Sequence, residues 1–159
     1  MITHGPYGGR GLQNWSIESG QGGRIKKVMI KHGFIVDGIG FEIVDAFNKS
    51  FVTWFSGPGG GTAEINLDPE EYISQISGTH GLYHNITSMT IITSLKIHTN
   101  VRPQGYGPFG SSRAVSRNEP FASTLLSDHA IVRFSGIVGE HLISINAFSA
   151  PLLFGIHRS

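Results

Sequence analysis

The sequence contains no cysteine among its 159 residues. This absence excludes a disulfide framework, a thiolate nucleophile and any zinc site built on cysteine. Charged residues are also few, at 14% of the chain, and the formal net charge is +1. Because these charges form no basic or acidic block, the sequence predicts neither nucleic acid nor an anionic membrane surface as a partner.

Long apolar runs are absent as well, since no stretch reaches the roughly 18 residues that a membrane-spanning helix needs. The N-terminus, from Met1 to Tyr7, has neither a basic n-region nor an apolar h-region. These features predict a soluble protein of the cytoplasm or the nucleus, with no membrane insertion. The length suits one domain, which we expect to span residues 1–159.

Glycine is abundant, with 22 residues, and apolar residues alternate with polar ones in several segments. The alternation is clearest where Met89, Ile91, Leu95 and Ile97 share one parity with Thr93, as expected for a half-buried strand. Further alternating runs lie at 37–44, 130–134 and 143–148. No segment shows helical periodicity over ten or more residues, so the sequence predicts an all-β protein.

Two short elements recur three times each, in phase. Elements of the form Gly-Pro-x-Gly begin at Gly5, Gly57 and Gly107, about 50 residues apart. The second elements, each about half a repeat later, begin at Gly33, Gly81 and Gly139. Such a period predicts three structural subunits of one fold. Three sheets of about four strands around a shared axis would bury one face of each sheet and gather the glycine loops at an end.

Four motifs carry a resemblance to a known family: Gly-Pro-Tyr-Gly-Gly at 5–9, Gly-Phe-Ile-Val-Asp-Gly-Ile at 33–39, Gly-Gly-Gly-Thr-Ala-Glu-Ile at 59–65 and Tyr-Gly-Pro-Phe-Gly at 106–110. In order and spacing they resemble the jacalin-related lectins, especially their mannose-binding branch, from about residue 5 to about residue 151. The resemblance implies a β-prism of three four-stranded Greek-key sheets with pseudo-threefold symmetry. It also implies that a sugar binds between a Gly-x-x-x-Asp loop and a neighbouring glycine-rich loop.

The chemistry of a pyranose explains why these residue types recur. An ionised carboxylate only accepts hydrogen bonds and can take two sugar hydroxyls at once in charge-assisted bonds. Glycine lets the backbone N–H groups of the loop approach the same oxygens closely. An epimer with one hydroxyl reversed leaves a desolvated group unpaired, which is the source of selectivity.

The first Gly-x-x-x-Asp loop keeps the full motif and is our best candidate site. Asp37 would accept two sugar hydroxyls, Phe34 and Ile35 would supply backbone N–H groups, and Gly60 or Gly61 would permit contact from the opposite loop. An alternative interpretation is that Asp37 only caps a turn. The predicted site comprises Gly33, Phe34, Ile35, Val36, Asp37, Gly60 and Gly61.

The other two loops depart from the pattern. In the last repeat Ile143 replaces the aspartate and Leu12 stands where a glycine is expected, so we predict an inactive site that Ile143→Asp with Leu12→Gly would restore. In the middle repeat an asparagine replaces the aspartate, opposite the glycine loop at 107–110, and its amide makes binding weak at best. The residues of this weaker second site are Gly81, Tyr83, Asn85 and Phe109.

Other constellations favour structural roles. His80 and His84 lack a third ligand, so no metal is expected. The adjacent residues 127–129 cannot form a catalytic triad on an extended chain. No P-loop or dinucleotide-binding fingerprint follows the glycine loops, so no cofactor and no enzyme activity are expected. Trp15 and Trp54 could stack on a sugar, but such tryptophans are more often in the core or an interface.

The sequence therefore predicts a lectin for mannose- or glucose-type glycans that has no catalytic activity. Galactose is a less favoured ligand, because that branch of the family frees a glycine N-terminus by processing and this chain continues intact through Gly11 and Leu12. A protein-interaction scaffold with decayed sugar sites is the alternative. Since single sugar sites are weak, we expect a homo-dimer or larger assembly. The segment 111–126 is interpreted as an insert that is disordered or covers a neighbouring surface.

Overall fold

The computed structural model describes residues 1–83 and 86–152, and the side chains of residues 86–88 lie outside the description. Within these ranges the chain forms twelve strands and no helix, so none of its described segments is a helix long and apolar enough to span a membrane. The strands are β1 (Ile2–Gly8), β2 (Asn14–Glu18), β3 (Arg24–His32), β4 (Val36–Val44), β5 (Ser50–Ser56), β6 (Gly61–Asn66), β7 (Ile73–Tyr83), β8 (Ile86–Thr99), β9 (Tyr106–Phe109), β10 (Val115–Ala122), β11 (His129–Val138) and β12 (Leu142–Pro151).

The strands form three four-stranded antiparallel sheets with one repeated topology. We call them sheet I (β5-β4-β3-β6), sheet II (β10-β7-β8-β9) and sheet III (β1-β12-β11-β2). Each has a central hairpin flanked by the two strands of a second pair. In sheet III the flanking pair comes from the N-terminus and the hairpin from the C-terminal part of the chain. The prediction of an all-β prism with threefold pseudosymmetry is confirmed.

The core lies where the inner faces of the three sheets meet. Phe41 of sheet I and Phe134 of sheet III are fully buried, with ring centroids 5.1 Å apart, and Leu95 of sheet II is fully buried in the same cluster. Trp15 stacks on Phe55 at 4.8 Å and closes the seam between sheets I and III. Because burial of these large side chains supplies most of the stabilisation, the hairpin turns at one end of the prism are free to serve as binding loops.

A β-bulge changes the face assignment predicted for β8. The register between β7 and β8 shifts between Thr79 and His80, and an extra residue in one strand inverts the side-chain alternation beyond it. As a result Ile92, and not Ile91, shares the main core with Leu95 and Ile97. Ile91 belongs to a second buried cluster. The prediction that Ile91 lies on the face of Leu95 is therefore wrong, although the strand itself is confirmed.

The three Gly-Pro-x-Gly elements are not structurally equivalent. Those that begin at Gly5 and Gly107 lie mainly in the edge strands β1 and β9, whereas the one that begins at Gly57 lies in the connection between β5 and β6. The three elements that begin at Gly33, Gly81 and Gly139 do mark the three central hairpins. The count of three was correct because these hairpins repeat.

The segment 111–126 is not an insert. It contains β10, which pairs with β7 along Val115–Ala122 and completes sheet II as its edge strand. The interpretation as a surplus or disordered segment is therefore wrong. The sequence did not indicate this strand because Phe121 is the one buried residue of β10, so the strand has little period-two apolar pattern.

Candidate functional site

The turns of the first and last hairpins have the same hydrogen-bonded geometry. The N–H of Gly33 donates to the carbonyl of Ile35 at 3.0 Å, and the N–H of Gly139 donates to the carbonyl of His141 at 3.0 Å. Each turn thus reverses the chain within three residues and places the fifth residue of its motif at the start of the following strand. The motif spacing seen in the sequence therefore corresponds to one repeated turn.

The glycine-rich loops join these turns in the same way. The N–H of Gly57 donates to the carbonyl of Asp37 at 3.0 Å, and the N–H of Gly9 donates to the carbonyl of Ile143 at 2.9 Å. Asp37 and Ile143 consequently occupy matching backbone positions in sheets I and III. At this position the two loops share one backbone hydrogen bond and differ in the side chain presented.

The Asp37 carboxylate faces the loop between β5 and β6. The Asp37 residue is 6% exposed. A Cβ placed on Gly59 would stand 3.2 Å from Oδ1 of Asp37, and one on Gly60 would stand 2.6 Å from Oδ2. Gly60 also has φ +85°, a conformation that other residues rarely adopt. The loop therefore needs glycine both for its backbone conformation and for its approach to the carboxylate.

A histidine from another sheet contacts the same carboxylate. Nδ1 of His141 lies 2.9 Å from Oδ1 of Asp37, and their side chains are 17% and 8% exposed. His141 is the middle residue of the last Gly-x-x-x-Asp-like motif, as Ile35 is of the first. Sequence reasoning missed this contact, because the two residues are 104 positions apart and neither their spacing nor their neighbours indicate it.

The remaining residues of the predicted site divide into buried and open positions. Ile35 and Val36 are 2% and 0% exposed, so their side chains face the protein and only their backbone can face a ligand. Phe34 is 49% exposed, and the guanidinium of Arg113 lies 5.9 Å from its ring centroid. Positions Gly33 and Gly61 have open space around them, with no heavy atom within 4 Å of an added Cβ. Arg113 is a second neighbour that the sequence did not indicate.

The weaker site predicted in the middle repeat is not assembled as expected among the described residues. Gly81 lies inside β7, where an added Cβ would stand 2.9 Å from Oδ1 of Asn118, so it faces β10. Phe109 packs instead against His32 of sheet I, with ring centroids 5.3 Å apart. Tyr83 ends β7, and its ring lies nearly perpendicular to that of His141, with ring centroids 5.5 Å apart. Asn85 lies outside the described residues.

The loop of the last repeat presents an apolar side chain. Ile143 is 6% exposed and belongs to a buried cluster with Ile35 and Ile91. Its side chain is hydrocarbon, so this loop offers a sugar no side-chain acceptor at the position of Asp37. Leu12 is 98% exposed, so its side chain lies in solvent and takes no part in the buried packing of this loop. That Leu12, in place of a glycine, helps to silence this site stays a prediction.

The two tryptophans differ in exposure, and neither lies in the Asp37 site. Trp15 is 5% exposed and belongs to the core. The ring of Trp54 is 40% exposed but covers Gly40, where an added Cβ would stand 2.7 Å from the indole. His129 Nδ1 contacts the carbonyl of Ser127 at 2.8 Å and no nucleophile. Within the described residues no group of three or more His, Cys, Asp or Glu side chains could hold a metal ion; His84 lies outside them.

Comparison with known proteins places this arrangement in a family. The Jacalin-like lectin domain family matches residues 4–148. The mannose/glucose-specific lectin of Parkia platycephala is 32% identical over 94% of this chain, and the match spans 32% of the length of that lectin. Horcolin of Hordeum vulgare is 31% identical, with 94% of this chain and 97% of horcolin covered. This chain thus spans about a third of the Parkia lectin and nearly all of horcolin.

A solved structure supports the same assignment. The mannose-binding jacalin-related lectin of Ananas comosus superposes with a TM-score of 0.77 at 28% identity, over 94% of this chain and 97% of that one. Three antiparallel sheets, paired turn and glycine loops, and a family match across most of the chain agree with one another. The chain belongs to the jacalin-like lectin family.

Proposed function

We propose that this chain binds mannose- or glucose-type glycans at one site, centred on Asp37, without turning them over. The observation that carries the proposal is the placement of the Asp37 carboxylate against Gly59 and Gly60 at the end of the prism. An acceptor-only group beside close backbone N–H groups suits adjacent sugar hydroxyls. Each of the other two loops lacks an aspartate, so a stoichiometry of one sugar per chain is expected.

The relatives support this class of ligand. The Parkia platycephala protein is named a mannose/glucose-specific lectin, and the Ananas comosus protein is described as mannose binding. Since this chain matches about a third of the length of the Parkia protein, the comparison concerns that part and not the whole protein. Both relatives are named as lectins, which supports binding without catalysis.

We further propose that several copies of the chain associate. A single shallow site binds weakly, so a homo-dimer or larger assembly of this one domain, residues 1–159, would supply avidity by presenting several sites together. Neither nucleic acid nor an inserted membrane segment is part of the proposal. The cytoplasmic or nuclear localisation expected from the sequence stays a prediction.

Titration calorimetry with methyl α-mannoside and methyl α-galactoside tests the proposal. Wild-type protein should bind the mannoside with a stoichiometry near one and should bind the galactoside at least about tenfold more weakly, or about 1.4 kcal/mol. Asp37→Ala should abolish the heat of binding and keep the β-type circular dichroism, because it removes an acceptor without opening a core cavity. Asp128→Ala is the matched control. Asp128 lies in the turn before β11, at the end of that strand away from the turn that begins at Gly139.

Three results would contradict the proposal. Retained mannoside binding in Asp37→Ala would remove Asp37 from the site. A glycan array with no signal for a correctly folded wild-type protein would favour the alternative function, an interaction scaffold whose sugar sites have decayed. Ile143 in place of an aspartate motivates that alternative. Release of product from a glycoside would show catalysis instead.

A further inference from the structure

We infer that His141, on the loop of the inactive third site, is a positioning residue of the Asp37 site. The inference rests on the proposed function and assigns this loop of sheet III a role in the sugar site of sheet I. Nδ1 of His141 lies 2.9 Å from Oδ1 of Asp37. Because an ionised carboxylate can only accept a hydrogen bond, Nδ1 carries the proton and donates it.

The loop that carries His141 is held in place from several sides. The N–H of Gly139 bonds the carbonyl of His141 at 3.0 Å and closes the turn. Gly57 approaches the backbone of Glu140 so closely that an added Cβ would clash with its carbonyl oxygen. The ring of Tyr83 meets that of His141 edge-on at 5.5 Å. These contacts fix His141 before any ligand arrives.

Packing beneath the loop adds a further constraint. Ile143, two residues after His141, is buried in one cluster with Ile35 and Ile91. Ile35 is the middle residue of the Asp37 loop, so this apolar cluster joins the two hairpin turns directly. The substitution that removed the acceptor from the third loop thus also ties that loop to the remaining site.

The hydrogen bond from His141 determines how the carboxylate is presented. The torsion that rotates a carboxylate about its Cβ–Cγ bond has no strong intrinsic preference. With Oδ1 held by His141 and Oδ2 facing Gly60, the carboxylate plane is fixed toward the glycine loop. A fixed acceptor loses less conformational entropy on binding. It also offers its lone pairs in set directions, so His141 contributes to the choice between sugar epimers.

Partial burial makes a donor necessary at this position. The Asp37 side chain is 8% exposed, and a desolvated carboxylate without a partner is costly. His141 satisfies one oxygen in the free protein and leaves the second for the sugar.

The test compares two substitutions that separate the ring from the donor. His141→Phe keeps a ring against Tyr83 but removes the N–H, whereas the amide nitrogen of His141→Asn stands close to the position of Nδ1 and restores a donor. We expect His141→Phe to weaken methyl α-mannoside binding by about tenfold and to reduce the preference over methyl α-galactoside. His141→Asn should stay within about threefold of wild type, and rescue by a smaller residue is not expected of a purely packing role.

A control and a second measurement keep the outcomes distinct. His129→Phe, at the opposite end of the ten-residue strand β11, should bind as wild type. Nitrogen-15 NMR of the wild-type protein should show His141 protonated at Nδ1 and its resonances displaced by mannoside, with those of His129 unmoved. This measurement applies even if a variant fails to fold.

The outcomes are separable from those of the proposed function. If wild-type protein binds mannoside but His141→Phe binds equally well, the inference is wrong and the proposed function stands. Equal weakening in folded His141→Phe and His141→Asn, or a His141 ring protonated only at Nε2, overturns the inference as well. If wild-type protein binds no mannoside, the proposed function and the inference fall together.

Discussion

Ile143 and Ile35, from the hairpin turns of two different sheets, share one buried apolar cluster at the end of the prism. Both side chains are buried. The position of Ile143 corresponds in backbone geometry to that of Asp37, yet its surroundings are hydrocarbon. The loss of the third site is therefore coupled to packing and is not a change of one ligand group alone.

This packing alters what Ile143→Asp with Leu12→Gly should do. The sequence predicted recovery of a second sugar site, but in this cluster the carboxylate would be desolvated without a donor. Loss of the buried side chain alone costs about 2–5 kcal/mol. We expect the double variant to be destabilised by at least about 2 kcal/mol in chemical denaturation, with a calorimetric stoichiometry still at one.

Leu12→Gly alone serves as the control for that experiment. Its side chain is 98% exposed, so the substitution should change neither core packing nor mannoside affinity. A stable double variant that binds two mannosides per chain would show that the cluster adapts to a carboxylate and that only the acceptor had been lost.

Gly60→Ala should abolish mannoside binding. The added methyl group would meet Oδ2 of Asp37 at 2.6 Å and the backbone nitrogen of His32 at 2.8 Å, and the residue has φ +85°. Backbone strain alone costs on the order of 1 kcal/mol at such a position. Calorimetry reports the loss of binding and thermal unfolding reports the strain.

Gly20→Ala is the matched control, because Gly20 has φ +74° but no heavy atom within 4 Å of an added Cβ. It should lower stability by the backbone strain alone, on the order of 1 kcal/mol, and leave mannoside affinity unchanged. If both variants bind mannoside like the wild type, the close approach of Gly60 to Asp37 has no role in recognition.

Glu71 should make the prism sensitive to acid. Burial opposes its ionisation, but hydrogen bonds from Thr99 (2.6 Å), Tyr106 (2.7 Å) and the Asp68 N–H outweigh burial and, with the charge of Arg102, hold the pKa of Glu71 below its ordinary 4.5. Since the folded-state pKa is the lower one, this stabilisation is present above pH 4.5 and is lost as the pH falls through the folded pKa.

Glu71→Gln measures that contribution. The variant should be less stable than wild type by about 1.5–3 kcal/mol at pH 7, the usual worth of hydrogen bonds to a charged group. The difference should shrink as the pH falls below 4.5. Denaturation in guanidinium chloride at several pH values gives both quantities. The exposed neighbour Glu70→Gln should behave as wild type, and an unchanged gap at low pH would contradict the assignment to Glu71.

His4 should cause a second loss of stability on acidification, which begins at a higher pH than the loss caused by Glu71. Burial lowers the pKa of this 6% exposed imidazole below 6.5, while Nε2 contacts Oγ of Ser149 at 2.8 Å. The unfolded chain then binds the proton more readily, so stability falls as the pH drops below 6.5. His4→Gln can keep a contact with Ser149 but cannot titrate, and its Tm should fall less between pH 7 and pH 5 than that of the wild type. Identical Tm profiles would show that other groups cause the loss.

The sequence by itself determined the class of the fold and the position of the turns. Period-two alternation in segments such as Ile39, Phe41 and Ile43 is a local property of strands, and all three residues do lie in the core. The motifs that begin at Gly33 and Gly139 form equivalent turns, because a tight turn depends on adjacent residues. The family resemblance then indicated which loop retains an acceptor at Asp37.

The tertiary structure alone decided which side chains meet. The bulge that moves Ile92 to the core face depends on pairing between β7 and β8. The burial of Ile143 depends on Ile35 and Ile91 from the other two sheets. The hydrogen bond between His141 and Asp37 joins residues 104 positions apart. Periodicity and motifs report only neighbours along the chain, whereas the site lies where three distant hairpins converge.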